Sequence, residues 1–147
     1  MKCPYCQHEA TDVINTRPTY HQTQIWRRRR CVSCRSLFTT YERLDLGFLK
    51  VVKKAGQKER YSRAKVYSGI YKAFLSVDNK EKTVDEITSQ IEANLLELKQ
   101  KEISSKDIAR TVLRTLKSTH PSAFLRYLAY NRNINGEDQL KKELNKY

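Results

Sequence analysis

Three observations predict an α+β fold in two parts. Two closely spaced cysteine pairs lie within the first 34 residues, the chain around them is rich in β-branched, aromatic and arginine residues, and from Ser62 the apolar spacing changes to a helical period. The pairs are Cys3-Pro4-Tyr5-Cys6 and Cys31-Val32-Ser33-Cys34, with 24 residues between them. Each tight turn supplies two thiolates, and two such turns suit one tetrahedral structural zinc ion. The fold class is therefore a small N-terminal zinc ribbon of three short antiparallel strands, followed by a mainly helical domain that opens on a β-hairpin.

The remaining 113 residues contain no cysteine. That clustering favours metal and a reducing compartment over a disulfide framework, with a redox pair as the other use of such motifs. His8 and His21 are surplus as ligands once four thiolates complete the shell. With a first ligand at residue 3 and no apolar run near the roughly 18 residues of a membrane span, the reading is of a cytoplasmic protein without a cleaved leader or membrane partner.

The chain has 147 residues and a net charge of +13, which favours polyanionic partners. Eight basic and four acidic side chains precede residue 49, and 21 and 12 follow it, so both parts are positive.

Residues 1–48 form the first domain. Their apolar side chains, Val13, Ile14, Ile25, Trp26, Leu37 and Phe38, are too few for a core that folds without a metal, and Trp26 and Phe38 are the expected core members. Strands are expected at 12–17, 23–28 and 37–43. Arg17, Arg27, Arg28, Arg29, Arg30 and Arg35 are the candidate nucleic-acid contacts, with Tyr20, Trp26 and Tyr41 available to stack. Strand alternation puts Arg27 and Arg29 on one side and Arg28 and Arg30 on the other, so one groove cannot receive all four. A solvated arginine face is the alternative.

Residues 49–139 form the second domain. Leu49 to Lys54 and Lys58 to Tyr61 read as strands about a turn at Gly56, a basic hairpin whose Lys53, Lys54 and Lys58, with Lys65 beyond, can meet phosphates or simply be solvated. Val66, Ile70, Phe74 and Val77 mark a helix capped by Ser62; Thr83 to Glu86 has the form of a capping box before Ile87, Ile91, Leu95 and Leu98; Ser105 can cap a third helix through Leu116; Pro121 suits the first turn of a fourth. His120 reads as a turn residue. Residues 140–147 are a charged tail that either frays or ends a last helix. There is no phosphate-binding glycine loop, no nucleophile beside a histidine and no carboxylate pair arranged for magnesium, so no enzyme is expected.

Met1 to Cys6, Arg27 to Cys31, Cys34 and Phe38-Thr39-Thr40-Tyr41-Glu42 together resemble the NrdR family of bacterial repressors of ribonucleotide reductase genes. Val51 to Lys54, Lys58-Glu59, Tyr61, Arg63, Lys65, Gly69-Ile70 and Ala73, then Glu102 to Ser105 and Phe124 to Tyr127, resemble that family's ATP-cone. The resemblance implies a repressor that binds double-stranded operator DNA through the ribbon, takes ATP or dATP in the cone and changes its homo-oligomer in response. It implies that Val51, Lys53, Lys54, Lys58, Glu59 and Lys65 line the nucleotide site, the lysines on phosphates and Glu59 toward the sugar or base. This chain departs from the family pattern at Trp26, Arg30, Leu37, Asn131 and the link from Ser76 to Lys82. Two other functions fit the same residues: a ribbon that binds nucleic acid while the helical half docks a protein, and a regulatory fragment that serves the reductase directly.

Overall fold

The computed structural model describes residues 1–19, 23–75 and 80–147, which leaves Tyr20, His21 and Val77 outside the described residues. The chain divides into two compact units, Met1–Asp45 and Leu46–Tyr147.

The first unit is an antiparallel meander of β1 (Thr11–Thr19), β2 (Gln24–Cys31) and β3 (Leu37–Arg43) in the order β1-β2-β3. A bulge at Ile14 shifts the β1/β2 register, so Asp12, Asn15 and Arg17 face Arg30, Arg28 and Trp26 in turn. Trp26 and Phe38 are not the expected core. Both are half-buried, and Val13, Ile14 and Leu37 are exposed, because a three-stranded sheet without a second layer has nothing to bury them against. Among the described residues, the buried side chains of this unit are Cys3, Cys31 and Gln24. Its interior is the metal site.

The second unit begins with a 3-10 turn at Leu46–Phe48, whose Leu46 is buried in that unit's core. β4 (Lys50–Val52) and β5 (Lys58–Arg60) form the basic hairpin, turning through Gly56 at φ +82, where a side chain would be strained. Helix α1 (Arg63–Ala73) follows; Ser62 stands at its N-cap but makes no side-chain cap bond, and Phe74 is its C-cap. Helix α2 (Lys80–Glu97) starts before the expected capping box, so Thr83 lies inside it. The periodicity of Val84, Ile87, Ile91 and Leu95 extends through it and outweighs the local cap signal.

A third strand, β6 (Glu102–Ser104), pairs parallel with β4, giving the sheet order β5-β4-β6. Three residues are too few for a strand pattern to stand out. That strand also moves the next cap: Ser104, not Ser105, caps α3 (Ser105–Thr119), its Oγ accepting from Asp107 N at 3.1 Å and donating to Asp107 Oδ2 at 2.6 Å. Pro121 opens α4 (Pro121–Arg132), and His120 turns the chain between the two helices with its ring edge-on to Phe74. Residues 137–144 form α5 (Glu137–Leu144), and Leu140, Leu144 and Tyr147 pack onto the core. The C-terminal segment is therefore part of the unit.

Candidate metal centre, nucleic-acid face and nucleotide cleft

The two cysteine turns repeat one geometry. Cys3 N donates to His8 O (2.9 Å) and Gln7 N to Cys3 O (3.0 Å); Cys31 N donates to Ser36 O (3.0 Å) and Arg35 N to Cys31 O (3.2 Å). Gln7 and Arg35, the fifth residue of each turn, sit at φ 61 and 62 in the left-handed region. Each turn thus presents its two sulfurs to one side. All four sulfurs lie within 4.8 Å of one another, with Cys3 to Cys34 at 3.7 Å and Cys6 to Cys31 at 3.6 Å. A tetrahedron with metal–sulfur bonds of about 2.3 Å needs sulfurs about 3.8 Å apart.

The donor set fits a thiolate-loving cation. Ser36, by its hydroxyl and its backbone N–H, and then the neighbouring thiols hold Cys34 down to about 6. The His8 backbone favours the Cys6 thiolate, but Cys34, desolvation, Cys31 and Cys3 together push Cys6 up to about 11. A cation at the centre of the four sulfurs would stabilise their thiolate forms. Metal uptake must therefore release protons and strengthen as pH rises.

The arginines divide by strand parity. Trp26 is flanked by Arg17 on β1 and Tyr41 on β3, Arg28 by Asn15 and Thr39, and Arg30 by Asp12 and Leu37. Arg43, two residues beyond Tyr41, shares that face; sequence reading missed it, although its place in an alternating strand was the available signal. Arg17 lies over the Trp26 ring at 5.7 Å and Arg43 over Tyr41 at 5.8 Å, so these aromatics carry cations on an open face. Arg28 Nη1 donates to Thr39 Oγ1 at 3.1 Å, which steadies the guanidinium.

The opposite face holds Arg27, bonded to Glu42 at 2.9 Å, and Arg29, whose Nε donates to Thr40 Oγ1 at 3.1 Å. Arg35 belongs to the second cysteine turn. Of the candidate contacts, Arg17, Arg28, Arg30 and Tyr41 thus share a surface, while Arg27 and Arg29 lie on the other.

This division predicts different salt responses. Each phosphate contact contributes about 0.9 to the slope of log affinity against log salt, so Arg28→Ala is expected to lower the slope by about that amount, or to cost about 1 to 3 kcal/mol at one base pair if it reads a base edge. Arg29→Ala is expected to do neither. Binding isotherms on duplex DNA at several salt concentrations decide it; equal effects at both positions would sink the division by face.

In the second unit a cleft of about 140 Å³ is open to solvent. Val51 and Tyr61 line its base, Lys53 and Glu59 come from the hairpin, Lys65 and Val66 from α1, Ser105 and Ile108 from α3, and Tyr127 and Asn131 from α4. Glu59 bridges the two ammonium groups: Lys53 Nζ lies 2.9 Å from Oε1 and Lys65 Nζ 2.8 Å from Oε2. Lys65 and then Lys53 hold the Glu59 carboxyl below its ordinary range. A polyphosphate entering here competes with Glu59 for two preformed cations.

Lys54 and Lys58 do not line this cleft. Lys54 is exposed on the hairpin turn, and Lys58 donates to both oxygens of Glu102 at 2.6 and 2.8 Å. The α3 and α4 lining residues were invisible as a site in sequence, since they lie more than 40 positions from the hairpin. Asn131, a departure from the family pattern, falls inside the cleft.

Residues 1–42 match the family described as "Transcriptional repressor NrdR-like, N-terminal domain", and residues 49–134 match the ATP cone domain. The chain is 39% identical over 134 residues to the transcriptional repressor NrdR of Cupriavidus pinatubonensis, covering 91% of this chain and 87% of that one. It is 37% identical over 147 residues to the same-named protein of Ralstonia nicotianae, covering 100% and 99%, and 39% identical over 127 residues to that of Petrotoga mobilis, covering 86% and 85%. The relatives are named as regulators, a non-enzymatic role. Among the described residues no helix is long and apolar enough to cross a membrane. With a four-cysteine ribbon, an ATP-cone and relatives of this likeness over nearly its whole length, the chain belongs to the NrdR family of transcriptional repressors.

Proposed function

We propose that the chain carries one structural zinc ion and binds operator DNA upstream of ribonucleotide reductase genes through the face of Arg17, Arg28, Arg30 and Tyr41. ATP or dATP in the cleft around Lys53, Glu59 and Lys65 then sets operator affinity by changing the homo-oligomer. The observation that carries the nucleotide half of this reading is the convergence of Lys53 and Lys65 on one carboxylate at a cleft lined by hairpin, α1, α3 and α4. Lys54 and Lys58 have supporting parts at most, as charges near the cleft.

ATP and dATP differ by one hydroxyl. A hydrogen bond is worth about 0.5 to 1.5 kcal/mol net, so affinity alone separates the two by about tenfold at best. Selecting between oligomers multiplies that bias over the subunits. Coupling of this kind is reciprocal: the nucleotide that strengthens operator binding must bind more tightly, by the same factor, when operator is present.

Lys53→Ala is expected to abolish both the nucleotide response and the reciprocal gain while leaving basal DNA binding intact. Calorimetry with ATP and dATP, with and without DNA from upstream of the reductase genes, makes the test. Identical nucleotide affinities in parent and variant, unmoved by DNA, would put the protein-docking function in front.

A further inference from the structure

Helix α3 buries Ala109, Val112, Leu113 and Leu116, and along its exposed side it carries Lys106, Arg110, Arg114 and Lys117. Steps of four, four and three residues stack these side chains into one row, about 16 Å long at 1.5 Å per residue. Two adjoining concavities meet there, sharing Arg114, Lys146 and Tyr147, and Arg132 of α4 lines the one that also holds Lys106 and Arg110. Six cations from three parts of the unit therefore face two side-chain carboxylates among the described residues. Asp107 holds Arg110 at 2.7 Å, and Glu143 holds Arg132 at 3.5 Å and also Lys146. Lys117 donates to the main-chain oxygen of Tyr147. Lys106 and Arg114 have no carboxylate partner among the described residues.

A solvated helix face accounts for exposed lysines and arginines, but like charges at this spacing destabilise a helix, and here further cations are brought to the same row from α4 and the C-terminal segment. A polyanion relieves that repulsion. The row is longer than a free triphosphate, and the ring of Tyr147, which lines both concavities, is half-buried, packed edge-to-face with Phe124 at 5.9 Å and bonded through its hydroxyl to Arg132 at 3.0 Å. Successive phosphates of one strand rise about 3.4 Å along the axis while winding around it, so a straight row of this length meets on the order of three of them.

We propose that this face of α3 is a second nucleic-acid contact, which grips the phosphate backbone of duplex DNA in addition to the ribbon's contacts and adds affinity without base preference. The proposal deepens the reading of the chain as a DNA-binding repressor and rests on it.

The test uses the full-length, zinc-loaded protein on random-sequence duplex DNA across a salt series. The triple variant Lys106→Gln, Arg110→Gln, Arg114→Gln is compared with a ribbon variant, Arg28→Ala with Arg30→Ala, and with a charge-matched control, Lys82→Gln, Lys99→Gln, Lys101→Gln. The α3 triple is expected to lose about 2.7 from the salt slope, Arg114→Gln alone about 0.9, and the control almost nothing. An unchanged slope in the α3 triple, beside a reduced one in the ribbon variant, overturns the proposal and leaves the ribbon reading standing. A reduced slope in the α3 triple beside an unchanged one in the ribbon variant does the reverse. Equal losses in the α3 triple and the control reduce the effect to net charge and also overturn it. Inorganic tripolyphosphate is titrated in parallel: saturable binding lost in the α3 triple, with the DNA slope unmoved, assigns the face to free polyphosphate instead.

Discussion

Cys31→Ser is expected to unfold residues 1–45 and abolish DNA binding while residues 46–147 melt at the parent's temperature. Cys31 is fully buried, ends β2 and anchors the second cysteine turn through both its N–H and its carbonyl. Structural zinc contributes on the order of 10 kcal/mol to modules of this size. The sheet has little to set against that loss, since its aromatic and aliphatic side chains are half-buried or exposed. The second unit has its own core, so the loss stays local. A chelator should reproduce the variant in the parent protein, more readily at low pH, where protons compete for the thiolates. Two thermal transitions followed by circular dichroism, with metal content measured alongside, check it. Metal-free protein that binds DNA with the parent's affinity would refute the role given to zinc.

The second large effect is expected inside the other unit. Arg63, the first residue of α1, clamps α2: Nη2 donates to Asp85 Oδ1 (2.9 Å), Asp85 O (3.1 Å) and Ser89 Oγ (3.0 Å), and Nη1 donates to Glu92. Glu92 is only 7% exposed. Removing the guanidinium strips a buried carboxylate of its cation, a change that costs about 3 to 5 kcal/mol in comparable buried pairs. Arg63→Ala should therefore destabilise residues 46–147 by that order, and Arg63→Lys should recover only part, because an ammonium cannot reproduce the two-nitrogen fork. Urea unfolding of the two variants measures both. A loss below about 1 kcal/mol for Arg63→Ala would mean that groups other than Arg63, the Tyr61 hydroxyl among them, satisfy Glu92. The same substitution should weaken nucleotide binding indirectly, since Ser62 and Lys65, on either side of Arg63, line the cleft.

The spacing of Cys3, Cys6, Cys31 and Cys34 determined the metal site by itself. Two turns of four residues leave few ways to arrange four sulfurs, and the geometry is set within each turn. The helical period of α1 to α3 was equally legible, because burying one face of a helix repeats the same demand every three or four residues. Local signals failed where a tertiary partner outweighed them. Thr83 has the form of a cap, yet α2 starts at Lys80. Ser105 suits a cap, yet the pairing of β6 with β4 hands that place to Ser104. Trp26 and Phe38 were expected inside on the strength of their side chains alone, and the absence of a second layer in the ribbon left them half-buried.

Side-chain parity was legible for Arg27 to Arg30, but which side chains each parity would meet on the neighbouring strands was not. It took the pairing of β2 with both neighbours to gather Arg17, Arg28, Arg30, Tyr41 and Arg43 on one face and to bind Arg27 to Glu42 on the other. Lys53, Lys54, Lys58 and Lys65 are alike in sequence. Only the folded sheet separates Lys58, drawn to Glu102 across the β4 strand, from Lys53 and Lys65, which share Glu59. Sequence determined what is set by near neighbours along the chain, the metal turns and the apolar periods. Tertiary structure alone decided which like charges act together, because that depends on residues tens of positions apart arriving at one surface.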